Sequence, residues 1–304
     1  MELHVRQPYS FTQIGQRGNQ EDARFPDSNA PKDCKTAFVV CDGVGGEAKG
    51  ELASKTVAET IGREIQHYDF CKPFTSKEFT AILEKVYSSL QKVSNNSNKG
   101  MATTLTFVCF HSKGIFTAYI GDSRIYHIRP KVGILYQSED HSLVNALVHS
   151  GNLTPEEAIN HPQSNIITRC LTPLSNNQRM EAATTYQISD VEAGDYIFIC
   201  TDGVLHKIDD SELVRILETE MSDKEKMSHI AKLCSDSSDN NTAYLICIDD
   251  VVYDMDEVES EDECISSNFS TIPLTIKNEV IIETEVKRRK SVRTQISDFF
   301  YKLF

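Results

Sequence analysis

A chain of 304 residues, 39% hydrophobic and 25% charged, has the composition of a soluble globular protein. It is long enough for one large core, or for a domain of roughly 250 residues with an appendage. A formal charge of −14 excludes a non-specific nucleic-acid binder, because a phosphate backbone attracts the opposite sign. No run approaches the roughly 18 apolar residues of a membrane helix, and the opening MELHVRQPYS lacks the basic-then-apolar order of a secretory signal. Nine cysteines without Cys-x-x-Cys spacing, four of them (Cys41, Cys109, Cys200, Cys247) inside apolar runs, read as reduced core thiols, so a cytoplasmic protein is expected.

Residues 1–14, with Val5, Tyr9, Phe11 and Ile14, are expected to form an opening strand. The polar run GQRGNQEDAR follows, crowding Arg17, Asn19, Glu21, Asp22 and Arg24 between glycines. It reads either as a hairpin loop or as a site in which Arg17 offers planar donors to phosphate and Asp22 a carboxylate to a hard cation. Phe38–Cys41 is a buried strand that ends in Asp42, and Gly43, Gly45 and Gly46 let the backbone turn and bring its carbonyls close to a ligand. Amphipathic helices are expected over 51–67, through Leu52, Val57, Ile61 and Ile65, and over about 76–93. The runs GMATTLTFVCF and KGIFTAYIGDSRIYHIR form an antiparallel pair around a turn at 111–114, and the second delivers Gly121 and Asp122 after an apolar strand.

A short strand at 133–136 precedes a polar, helical excursion, in which Thr154, Pro155 and Glu157 supply an N-cap, a first-turn proline and a capping-box partner. Asp140, His141, His149 and His161 fall nearby without zinc-ligand spacing, so the segment reads as a lid facing substrate. Tyr196–Cys200 repeats the earlier pattern, an apolar strand ending in Asp202 and Gly203. Helices are expected over 211–218 and 223–235, and Asp239 and Asn240 stand just before a strand at 243–248. In an antiparallel sheet the start of one strand lies beside the end of its neighbour, which brings Asp239 towards Asp202.

Asp22, Asp42, Asp202 and Asp239, with Asp122 as a fifth, form an all-oxygen set suited to Mg²⁺ or Mn²⁺ and not to zinc. Carboxylates converging on one point repel unless cations lie between them. Two such ions can activate a shared water for attack on phosphorus while Arg17 holds the phosphoryl oxygens, with no serine or cysteine nucleophile required.

The segments RGNQEDAR (17–24), VVCDGVGG (39–46), GMATTLT (100–106), IGDSR (120–124), the stretch 140–171, CTDGV (200–204) and DNNTA (239–243) occur in order. This series resembles the motifs of the metal-dependent PPM/PP2C protein serine/threonine phosphatases over roughly residues 5–249, in their bacterial-like branch. The resemblance implies an α+β fold, an α-β-β-α sandwich of two mainly antiparallel sheets flanked by helices. It also implies a dinuclear Mn²⁺/Mg²⁺ centre at one end. Asp42 would bridge the ions, the carbonyl of Gly43 would bind one, Asp202 and Asp239 would complete the second ion's shell, and Asp22 would act largely through bound waters. Asp122 would serve a third ion and Arg17 would contact phosphate.

Two departures stand out. Val44 occupies the place where many eukaryotic members carry a histidine proposed as general acid, and the flap ends in RCLTP (169–173) where relatives commonly have glycine after leucine.

The implied function is hydrolysis of phosphoserine or phosphothreonine in a protein substrate, opposing a serine/threonine kinase, by a monomer. An inactive scaffold of the same fold and a hydrolase of small phosphate esters are the other readings. The domain is expected to span 1–250, followed by an acidic linker (251–270) and a tail (271–304) whose basic cluster precedes Ile296, Phe299, Phe300, Leu303 and Phe304 at helical spacing. That tail reads as a helix docked on its own domain or on a partner, or as a peripheral membrane or autoregulatory helix.

Overall fold

Strands whose every residue is apolar need cover on both faces, and this chain meets that need with two stacked sheets and a layer of helices outside each. The computed structural model describes residues 1–32, 36–44, 49–94, 101–159, 161–174 and 179–253. In chain order its elements are β1 (Glu2–Val5), β2 (Tyr9–Gln13), β3 (Ala23–Phe25), β4 (Ala37–Cys41), β5 (Gly43–Val44), α1 (Lys49–Ile65) and α2 (Ser76–Val93). There follow β6 (Ala102–Thr103), β7 (Leu105–His111), β8 (Gly114–Ile120), β9 (Arg124–Arg129), β10 (Gly133–Gln137), α3 (Leu143–His149) and α4 (Pro155–Ile159). The last are β11 (Thr184–Ile188), β12 (Tyr196–Cys200), α5 (Asp202–Leu205), α6 (Asp210–Leu217), α7 (Asp223–Leu233) and β13 (Asn241–Val252).

One sheet runs β1-β13-β12-β9-β10, with β2 also on β13, and the other runs β11-β8-β7-β4-β3. A two-stranded ladder joins β5 to β6, and every pairing is antiparallel.

The two-residue period of a strand sorts its side chains into layers. From β4, Phe38 and Val40 enter the space between the sheets with Ile197, Ile199, Tyr244 and Ile246, whereas Ala37, Val39 and Cys41 face α1 and α2. From β12, Ile197 and Ile199 point inward, and Tyr196, Phe198 and Cys200 meet Leu213, Ile216, Met227 and Ile230 of α6 and α7. This is the four-layer α-β-β-α sandwich, and the double burial explains why both strands read as continuous apolar runs. Cys41, Cys109, Cys200 and Cys247 are buried in it. Among the described residues, no helix is long and apolar enough to cross a membrane.

Several local expectations need correction. The opening segment is two strands, because β13 is twelve residues long and pairs with both β1 and β2. β13 therefore runs to Val252, past the boundary expected at 250. Leu52 is 42% exposed; the inward face of α1 is Ala53, Val57, Ile61 and Ile65, spaced by four, and Leu52 stands one residue out of that period. The capping box at the start of α4 forms as expected, Thr154 N donating to Glu157 Oε2 at 2.9 Å and Glu157 N to Thr154 Oγ1 at 3.3 Å. Gly45, Gly46 and residues 254–304, which hold nearly all of the expected linker and the whole tail, lie outside the described residues.

Candidate metal and phosphate site

Strand register brings the acids to one rim. Ala23 pairs with Cys41, so Asp22 and Asp42 flank neighbouring strand ends. Leu105 pairs with Ile120, which sets the Gly121–Asp122 turn at the same end. In the other sheet Cys200 pairs with both Arg124 and Ala243, so Asp202, following β12, faces the same way as Asp239, preceding β13. A cavity of about 590 Å³ opens there, lined by Arg17, Asp42, Gly43, Asp122, Asp202 and Asp239. Asp22 lies beneath it, only 8% exposed.

The electrostatics are those of crowded, desolvated carboxylates. Burial first, then Asp202 and Asp239, push Asp22 up to about 8, against hydrogen bonds from Thr242 and Thr201. Burial, then Asp22, Asp202 and Asp122, hold Asp42 well above the usual carboxylate range. Asp122 is pushed up to about 7 by burial and by Asp202 and Asp140, and Asp202 is raised by burial. Asp22 Oδ2 accepts from Thr201 Oγ1 at 3.0 Å, but Asp22 Oδ1 and Asp202 Oδ1 are buried without a hydrogen-bond partner among the described residues. Buried oxygens of this kind call for positive charge.

The all-oxygen donor set and the orphaned oxygens fit a hard divalent ion. As the side chains stand, however, no group of three or more His, Cys, Asp or Glu among the described residues is arranged to hold one. Asp239 is engaged instead by Arg17, Nη2 to Oδ2 at 2.6 Å, so the guanidinium expected on phosphate is paired with a carboxylate expected on metal. Opposite charges 2.6 Å apart on the open side of the cavity account for that pairing.

The acids are held by their backbones. The carbonyl of Asp42 accepts from Thr104 N and Thr103 Oγ1, each at 2.8 Å, and Asp42 N donates to Thr104 Oγ1 at 2.9 Å. Thr104 Oγ1 is also 2.7 Å from Ser123 Oγ, tying the Asp42 exit to the Asp122 turn. A Cβ on Gly203 would sit 1.9 Å from the carbonyl oxygen of Asn240, so only glycine lets the Asp202 and Asp239 segments approach.

The buried amide of Asn240 fastens the Arg17 loop, accepting from Glu21 N at 2.7 Å and donating to Ile14 O at 2.8 Å and Asn19 O at 2.9 Å. Asn240→Ala strips three bonds from that loop. Urea denaturation is expected to register a loss of about 2–3 kcal/mol, and phosphatase assays a larger loss with phosphopeptide than stability explains.

Seven lining residues had been given no role from the sequence: Gly18, Asn19, Glu21, Asn165, Ile167, His206 and Asn240. His206 was accessible by its spacing, four residues after Asp202, and its Nε2 is 3.8 Å from Asp202 Oδ2. Asn165 and Ile167 come from the flap, which only tertiary folding brings over the acids. The flap enters through a bridge of Ser142 with Ile167 and leaves through a bridge of Leu171 with Thr103, two bonds of 3.0 and 2.8 Å. His141, His149 and His161 do not line the cavity, whereas Val44 does, at 37% exposure.

This sandwich, with acids and one arginine gathered at a single rim, defines a phosphatase of the 2C class. The chain belongs to the protein phosphatase 2C family, whose model matches residues 14–240, and it is an enzyme, a serine/threonine phosphatase. A putative protein phosphatase 2C-type of Streptococcus pyogenes is 34% identical over 229 residues, 74% of this chain and 89% of that protein. Protein phosphatase PhpP of Streptococcus pneumoniae is 29% identical over 250 residues, 79% and 96% of the two chains.

Among solved structures, the serine/threonine phosphatase PstP/Ppp of Mycobacterium tuberculosis matches with a TM-score of 0.69 at 26% identity, covering 81% of this chain and all (100%) of that one. The catalytic domain of PstP solved with 2 manganese ions matches with a TM-score of 0.66 at 25% identity, covering 81% and 99%.

Proposed function

We propose that this chain removes phosphate from phosphoserine and phosphothreonine in proteins by direct attack of water, without a phosphoenzyme, at a centre of two divalent ions. Asp22, Asp42, Asp202, Asp239 and the Gly43 carbonyl would hold Mn²⁺ or Mg²⁺, and Asp122 would serve a third ion. Bound there, such ions lower the pKa of water and neutralise phosphoryl charge.

The observation that carries the reading is the pair of buried, unpartnered oxygens, Asp22 Oδ1 and Asp202 Oδ1, at one rim with Arg17. Among the described residues the cavity wall contains no Ser, Thr, Cys or Lys, and with its aspartates assigned to the ions, water is left as the nucleophile on this reading. Arg17, exposed at the mouth, offers planar donors that stabilise the phosphoryl oxygens as charge builds on them. The new O–P bond forms as the bond to the serine or threonine oxygen breaks. That oxygen takes its proton from solvent, since Val44 has none to give.

On this reading residues 1–252, through the end of β13, carry the chemistry, followed by the linker and then the tail over 271–304. The substrate is a phosphoprotein inside the cell, the opposing activity a serine/threonine kinase, and the enzyme a monomer. Purified protein is expected to hydrolyse a phosphothreonine peptide with Mn²⁺, to lose that activity in EDTA, and to lose it in Asp202→Ala. Full activity in chelator sinks the mechanism, and hydrolysis of p-nitrophenyl phosphate alone sinks the protein substrate.

A further inference from the structure

His141 is the histidine at the root of the flap, and both of its ring nitrogens are engaged. Nδ1 accepts from the backbone N–H of Gly121 at 3.0 Å, and the His141 N–H donates back to Gly121 O at 2.9 Å. With Nδ1 accepting, the proton of the neutral ring lies on Nε2, 2.9 Å from Thr184 Oγ1 on β11. Arg169 Nη1 donates to the same hydroxyl at 3.0 Å and stands 2.8 Å from Nε2, so a second ring proton would set two cations side by side. Burial and Arg169 push the imidazole down to about 4, and the ring is neutral at physiological pH. Tyr119 stacks on it, centroids 5.0 Å apart at 16°. The carbonyl of His141 accepts from Thr168 N at 2.7 Å and Thr168 Oγ1 at 3.0 Å, on the returning limb of the flap. One residue thus grips the turn just before Asp122, the flap segment just after Asn165 and Ile167, and the edge strand β11.

We propose that His141 is a positioning residue that sets the flap in register with the Asp122 turn, so that Asn165 and Ile167 meet a protein substrate at the cavity. A small ester, which needs no flap, depends on this coupling far less than a phosphopeptide does. The kinetic part of the inference rests on the phosphatase reading; the exchange part does not.

The variants are His141→Phe, which keeps the ring stack and loses both ring bonds, Thr184→Val, and the two combined. The ratio of kcat/KM for a phosphothreonine peptide to that for p-nitrophenyl phosphate is expected to fall about tenfold in His141→Phe, and no further in the double variant. His141→Asn, which retains an acceptor for Gly121 but is too short for Thr184, serves if the phenylalanine variant does not fold, and is expected to lose the ratio as well. Hydrogen exchange in the chelated protein is expected to quicken together over 120–124 and 165–170, and this is read without catalysis. A ratio within twofold of wild type, additive losses in the double variant, or faster exchange in only one of the two segments overturns the coupling. A wild-type protein inactive on both substrates sinks the proposed function and leaves the exchange result to decide this one.

Discussion

Asp42→Asn is expected to cut phosphopeptide hydrolysis by about 10³-fold, about 4 kcal/mol of transition-state stabilisation, while leaving the fold intact. The backbone of Asp42 is locked by Thr103 and Thr104 whatever the side chain, and asparagine fills the same space. What disappears is a carboxylate raised first by burial and then by Asp22, Asp202 and Asp122, with which it shares the rim. The same substitution makes a prediction of opposite sign for stability.

A carboxyl whose pKa is raised on folding contributes stability below its unfolded pKa, and that contribution is lost as pH rises through the folded value. In chelator at pH 7–8, Asp42→Asn therefore melts at or above the wild-type temperature, and the gap closes as pH falls towards about 4. A variant that loses activity and heat stability together at pH 8 would make Asp42 a structural residue. A variant that keeps both would remove it from the site.

Asp195→Asn is expected to do the reverse, costing about 3 kcal/mol of stability, or about 10 °C in melting temperature, with kcat per folded molecule unchanged. Asp195 lies at the opposite end of the sheets from the cavity, 1% exposed, and binds His127 Nε2 at 2.8 Å. Arg129 Nε donates to its Oδ1 at 2.8 Å, Arg129 Nη2 to its Oδ2 at 3.0 Å, and Glu192 N to Oδ2 at 2.9 Å. Burial alone would raise its pKa, but the bonds from His127, Arg129 and the Glu192 amide overcome that and hold it at about 2.

A depressed carboxyl stabilises above its unfolded pKa and loses that contribution as pH falls through the folded one, so wild type and variant converge as acid approaches pH 2. Thermal melts from pH 3 to 8 test this. A constant difference between the two proteins across that range would contradict the linkage.

Much of the site could be read before folding because its parts are short and self-describing. Asp42 and Asp202 follow apolar runs too short for helices, and Asp239 precedes another. Antiparallel pairing then places Asp202 beside Asp239, whereas Asp42 belongs to the other sheet and joins them only through the stacking of the two sheets. The four-layer sandwich was expected from the resemblance of the ordered motifs, and the fully apolar strands and amphipathic helices agree with it. Errors occurred where a local pattern had two solutions. Leu52 was one residue out of the helical period, and the first fourteen residues fold as two strands because a distant strand, β13, is long enough to pair with both.

The bodies of most helices and strands and the acidic character of the strand ends were determined by the sequence alone, through periodicity and residue type, whereas the order of strands in each sheet was not. Tertiary structure decided which groups share the cavity with them: Asn165 and Ile167 carried in by the flap, His206 turned inward from α5, Asn240 reaching back under the Arg17 loop, and Arg17 itself set on Asp239. These are contacts between segments tens to hundreds of residues apart. They are settled by packing and charge across the whole fold, and no local spacing records them.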